Sequence, residues 1–231
     1  MDEDGAGRES GEGGEEGSVT VEYDAPPRAY ITLGEHVLIV GSTGSGKTYF
    51  WKHGLSRSFP RSLVVDTKGI DFGDLPPIRR KEPYLVAKAI PHDTKKAFRW
   101  RWTPTRTQDV AEMEELSRGL LDRVASLGLY LDEVTDFQSA QYIAPQFRAL
   151  VQKGRAQAIS VIAGTQRPPG VSRWIADNTT HRFFFFIHPQ DRHTLEKYWH
   201  GISEHLARIR WGSHDYVYVG PDGSMGLHEH I

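Results

Sequence analysis

The 231-residue sequence contains no cysteine. That absence excludes disulfide staples, thiol nucleophiles and cysteine-ligated zinc, and it fits a reducing, cytoplasmic setting. No apolar run approaches the ~20 residues that a membrane-spanning helix needs, so no transmembrane segment is expected. The N-terminus does not pair a basic region with an apolar stretch, so no secretory signal is expected either. Net charge is also nearly absent, at −2, but the balance is uneven. Residues 1–24 carry nine Asp/Glu and one Arg, which leaves residues 25–231 with a charge of +6. The opening MDEDGAGRESGEGGEEGS has no apolar periodicity and reads as an acidic, disordered tail. The body, 25–231, is long enough for one α/β domain with a sizeable core.

The most informative stretch present is Gly41–Thr48, GSTGSGKT. It has the spacing of a loop that cradles phosphate with converging backbone N–H groups at a helix N-terminus. Gly41, Gly44 and Gly46 supply backbone freedom, and Ser42, Thr43 and Ser45 complete the loop. Lys47 reaches β- and γ-phosphates, and the Thr48 hydroxyl is a Mg²⁺ ligand. Val37-Leu38-Ile39-Val40 before the loop reads as a buried parallel strand, and Tyr49–Leu55 after it has no Pro, so a helix can begin inside the motif. The pattern predicts binding of a nucleoside triphosphate.

Along the chain, strands are expected at Ala29–Leu33, Ser62–Val65, Tyr84–Ala87, Phe98–Trp102, Leu127–Leu131, Ile159–Ala163 and Phe183–Ile187. Helices are expected at Val110–Ala125, opened by Thr107-Gln108-Asp109, and at Ala144–Lys153 and Asp191–Trp199. Tyr216–Val219 followed by Gly220-Pro221-Asp222-Gly223 suggests a closing hairpin. Strands alternating with helices predict an α/β fold, a mainly parallel sheet with helices on both faces.

The strand Leu127–Leu131 ends in Asp132-Glu133, at the sheet edge where the phosphate loop also lies. Asp132 is placed to hold the Mg²⁺ shell and Glu133 to orient and deprotonate an attacking water. The next strand ends in Gly164-Thr165-Gln166-Arg167-Pro168. Gln166 there suits either a γ-phosphate or water ligand or a plain strand-to-turn cap. Arg79-Arg80-Lys81 and Arg99-Trp100-Arg101-Trp102 fit contacts to phosphates, but a solvated loop and a strand with one buried aromatic face are the preferred readings. Phe183–Phe186 reads as core.

Four pieces occur in order: GSTGSGKT, VVDTKG at Val64–Gly69, LYLDE at Leu129–Glu133 and KGRAQAISVIAGTQRP at Lys153–Pro168. Together they resemble the FtsK/HerA superfamily of DNA-pumping P-loop ATPases, across about Val37–Ile187. The resemblance implies a RecA-like fold, ATP and Mg²⁺ as cofactors, double-stranded DNA as partner and a homo-oligomeric ring. It implies a sensor role for Gln166 and, for Arg155, a reach to a neighbouring subunit's nucleotide. Asp66 and Lys68 match residues that either line the site or build a turn. The membrane anchor and the DNA-reading domain of larger members are not seen, so the chain looks most like compact viral or mobile-element members. An ATPase that handles protein during assembly or secretion, and a small-molecule kinase, are the rival readings.

Overall fold

The computed structural model describes residues 31–69, 71–105, 110–139 and 141–229. The acidic tail expected over residues 1–24, and the helix start expected at Thr107-Gln108-Asp109, lie outside them.

Apolar strands too uniform to have a wet face need cover on both sides, and the sheet is built that way. Among the described residues eight strands run β1 (Val37–Val40), β2 (Arg61–Val65), β3 (Phe98–Trp102), β4 (Leu127–Leu131), β5 (Ile159–Thr165), β6 (His181–Phe184), β7 (Tyr216–Val219) and β8 (Met225–His228). Their order across the sheet is β3-β2-β4-β5-β1-β6-β7-β8. The first six are parallel, and β7 and β8 close the sheet as an antiparallel hairpin. Every residue of β1, β2, β4 and β5 is buried, as parallel strands under helices must be.

Side chains alternate between two cores. One face buries Leu38, Val40, Leu63, Val65, Leu129, Leu131 and Val161 under helices α2 (Pro83–Ala89), α3 (Val110–Arg123), α4 (Pro145–Lys153), α5 (Arg173–Asn178), α6 (Pro189–Glu196) and α7 (Ile202–Ala207). The other face buries Val37, Ile39, Val64, Tyr130 and Ile162 with Trp51 of α1 (Lys47–His53). Trp51 stacks between Tyr130 at 4.7 Å and Phe59 at 5.9 Å, ring centre to centre, which fixes α1 on the sheet.

Three expectations fail. Tyr84–Ala87 is not a strand but the middle of α2, where Pro83 fills the first helical turn without needing its missing N–H. No strand forms over residues 31–33; the chain turns there instead, with Glu35 N–H donating to Thr32 O at 3.0 Å. The sixth strand sits two residues early, at His181–Phe184. It admits His181 because Glu35 and Tyr218 bond both ring nitrogens, at 3.1 and 2.7 Å.

A second buried histidine ties α4 to the sheet. His36 Nδ1 accepts the Val161 N–H at 3.0 Å, so Nε2 carries the proton to Val151 O at 2.7 Å. Burial pushes its pKa down to about 4.

Candidate active site

Because six strands run the same way, their carboxyl ends share one edge. The β1–α1 loop stands there, with β5 between β1 and β4 in the sheet. Gly44 and Gly46 take φ of 77° and 104°, in the left-handed region where a side chain is strained, and that turn lets α1 start at Lys47. The loop is pinned to both flanking strands: Gly41 N–H donates to Thr165 O at 3.1 Å and Ser42 N–H to Phe186 O at 2.9 Å. Lys47 folds back into it, Nζ donating to Gly41 O at 2.6 Å and to Ser42 O at 3.1 Å. Burial pushes the Lys47 ammonium down to about 8, against the pull of Asp132 and Glu133. Thr48 follows, half-buried on the first turn of α1.

Asp132 directly follows β4 and is almost fully buried, at 3 % exposure. Burial raises its carboxyl to about 6, with Lys68 opposing. Its Oδ2 receives no hydrogen bond; the Lys68 ammonium stands 3.5 Å away, which is charge contact rather than a good bond. A buried carboxylate oxygen in that condition calls for a cation, and an all-oxygen set with Thr48 suits Mg²⁺. The residues present fit the ion. Asp132 also needs its neighbour to be Gly164: a Cβ there would lie 2.7 Å from Asp132 O and 2.8 Å from Leu131 O.

Glu133 and Gln166 form the centre of the site. Glu133 Oε1 accepts from Thr135 Oγ1 at 2.5 Å, and Oε2 accepts the Gln166 N–H at 3.0 Å. The Gln166 side chain turns to the phosphate loop, where Thr43 Oγ1 donates to its Oε1 at 2.8 Å. The glutamine therefore joins the loop to the carboxylate, which a simple turn cap would not do.

The remaining candidates separate. Lys68 reaches the site through Asp132 and Asp71. Asp66 does not; it accepts from Gly69 N–H at 2.9 Å and faces Arg101 at 3.5 Å, so it builds the turn after β2. Arg155 precedes β5 and lies at the opposite sheet edge, beside Gly34, with Nη2 on Asn178 O and Thr180 Oγ1 at 3.3 and 3.1 Å. It therefore lies at the opposite strand ends from the phosphate loop of its own chain. Arg99 and Arg101 bond Ser56 O and Gly69 O within the fold, whereas Arg79, Arg80 and Lys81 are exposed. Two residues of the site, Thr135 and Gly164, gave no signal in sequence beyond their closeness to the recognised motifs.

No protein-family model matches the sequence, and no curated protein matches it. Solved structures do match in fold. The genome packaging NTPase B204 of Sulfolobus turreted icosahedral virus 2 superposes with a TM-score of 0.69 at 15% identity, over 87% of this chain and 98% of that one. B204 has also been solved with AMPPCP and with ATP-γ-S. VirB4 of Thermoanaerobacter pseudethanolicus gives 0.65 at 11% identity, over 85% and 89% of the two chains. The pCW3 conjugation coupling protein TcpA, solved with ATPγS, gives 0.58 at 15% identity, over 85% and 60%. The chain has the RecA-like P-loop NTPase fold of these structures. Among the described residues, no helix is long and apolar enough to cross a membrane.

Proposed function

We propose that this chain is an ATPase that moves double-stranded DNA, working as a ring of identical subunits, with residues 25–231 as the motor domain. The loop amides of Gly41–Thr48 and the Lys47 ammonium hold the triphosphate. Thr48 and Asp132 hold Mg²⁺, which when bound neutralises charge on the phosphate oxygens. Glu133 positions a water and takes its proton. Gln166, bonded to Thr43 of the loop and to Glu133, reports whether a γ-phosphate is present.

The observation that carries hydrolysis, rather than phosphate holding, is the Thr43–Gln166–Glu133 connection. A base carboxylate wired to the phosphate loop suits water as the attacking group. What supports DNA as cargo is the shared fold with packaging and conjugation ATPases, together with the exposed Arg79-Arg80-Lys81. The position of Arg155 on the far sheet edge suits a role in trans, at the nucleotide of an adjacent subunit.

The test is ATP hydrolysis with and without linear duplex DNA, with the oligomeric mass recorded on the same sample. Strong stimulation by DNA is expected. Indifference to DNA in an assembled oligomer would refute the DNA motor and favour an ATPase acting on protein. Transfer of phosphate to a small acceptor would favour a kinase.

A further inference from the structure

The strand order gives the phosphate loop two unlike flanks. On one side of β1 lies β5, which brings Gln166 and, beyond it, the Asp132-Glu133 end of β4. That flank is polar and suits the γ end of a triphosphate. On the other side lie β6 and then β7, preceded by the turn Arg210–Ser213, where Ser213 N–H donates to Arg210 O at 3.2 Å. This flank is aromatic. The Trp211 ring comes within 3.8 Å of a Cβ built on Gly44, and the His214 ring within 3.1 Å of one built on Gly46. Tyr49, on the first turn of α1, lies roughly parallel to His214, with 6.3 Å between ring centres and 24° between planes.

Trp211 is 67 % exposed and Tyr49 46 % exposed, and both border the phosphate loop. A large indole left open beside a phosphate site has a natural cover in the flat ring at the other end of the same ligand. We propose that Trp211, with Tyr49 and His214 beside it, forms the shelf on which the base of the nucleotide stacks. The proposal rests on the loop binding a nucleoside triphosphate, and it adds the base-recognition surface. Stacking of this kind tolerates different bases, because each has a π-face.

Calorimetric titration of the intact chain with MgATP and, separately, with magnesium tripolyphosphate tests it. Trp211→Ala is expected to raise the Kd for ATP about tenfold, the scale of one lost base–aromatic stack, and to leave tripolyphosphate binding unchanged. Trp211→Phe should restore most of the loss. An unchanged ATP affinity in Trp211→Ala, or equal weakening of both ligands, overturns the shelf. If the wild-type chain binds neither ligand, the nucleotide reading itself falls and takes the shelf with it.

Discussion

Replacing Lys47 by Met should make the ligand-free protein more stable while removing its response to nucleotide. Lys47 is 8 % exposed, and its ammonium sits about 2.5 pH units below its usual 10.5. At ~1.4 kcal/mol per unit, keeping that charge inside costs folding about 3 kcal/mol at pH 7. Met has similar length and volume and no charge. It forfeits the bonds to Gly41 O and Ser42 O, which return about 1 kcal/mol each. The expected net is a gain of about 1 kcal/mol in urea unfolding at pH 7. With MgATP at a hundred times its Kd, the wild type should gain ~2.7 kcal/mol and the variant almost nothing. The pH dependence has a fixed sign. From pH 8 to 10.5 the folded wild type has already lost the Lys47 proton while the unfolded chain still holds it, so the wild type recovers. The advantage of Lys47→Met should therefore shrink across that window and reverse above it, to a deficit of about 2 kcal/mol from the two lost bonds. A variant less stable than wild type without nucleotide, or a gap that ignores pH, would show that the ammonium is a structural post and refute the reasoning.

Glu133→Gln keeps the Thr135 and Gln166 neighbours and removes the basic oxygen, so ATP affinity should hold while turnover falls about 10²-fold or more; retained turnover would point to another base. Gly164→Ala forces a Cβ against two backbone carbonyls, so denaturant melts should show a loss of about 1–3 kcal/mol, with weakened Mg²⁺-dependent nucleotide binding as Asp132 is displaced. His36 stays neutral in the fold down to about pH 4, whereas in the unfolded chain it protonates near 6.5. Stability should fall by about 3 kcal/mol between those two pH values, and His36→Gln, which can offer one donor and one acceptor, should lack that fall in urea unfolding at pH 6.5, 5 and 4.

The phosphate loop, the strands around it and Asp132-Glu133 were legible because their signals are local. A buried parallel strand is a short apolar run, and its carboxyl end is where chemistry gathers. What escaped the sequence depends on contacts made across the chain. Pro83-Tyr84-Leu85-Val86 has strand-like composition, and only packing of Val86 and Ala87 under α3 makes it helical. Helices α5 and α7 span six residues each, too few for a period to show. His181 and Arg182 look too polar for a strand until Glu35, Tyr218 and Thr179 O supply their partners. Trp211 and His214 stand more than 160 residues from the glycines they border.

The two protein donors on Glu133 bear on how the carboxylate is aimed. With Thr135 on one oxygen and Gln166 on the other, the carboxylate is already engaged. Each oxygen keeps a lone pair open to water, and the two donors fix which way the carboxylate faces, the Gln166 backbone being tethered through its own side chain to the phosphate loop. On the proposed function, a shift of that glutamine would re-aim the base, so the timing of hydrolysis would follow the state of the phosphate loop.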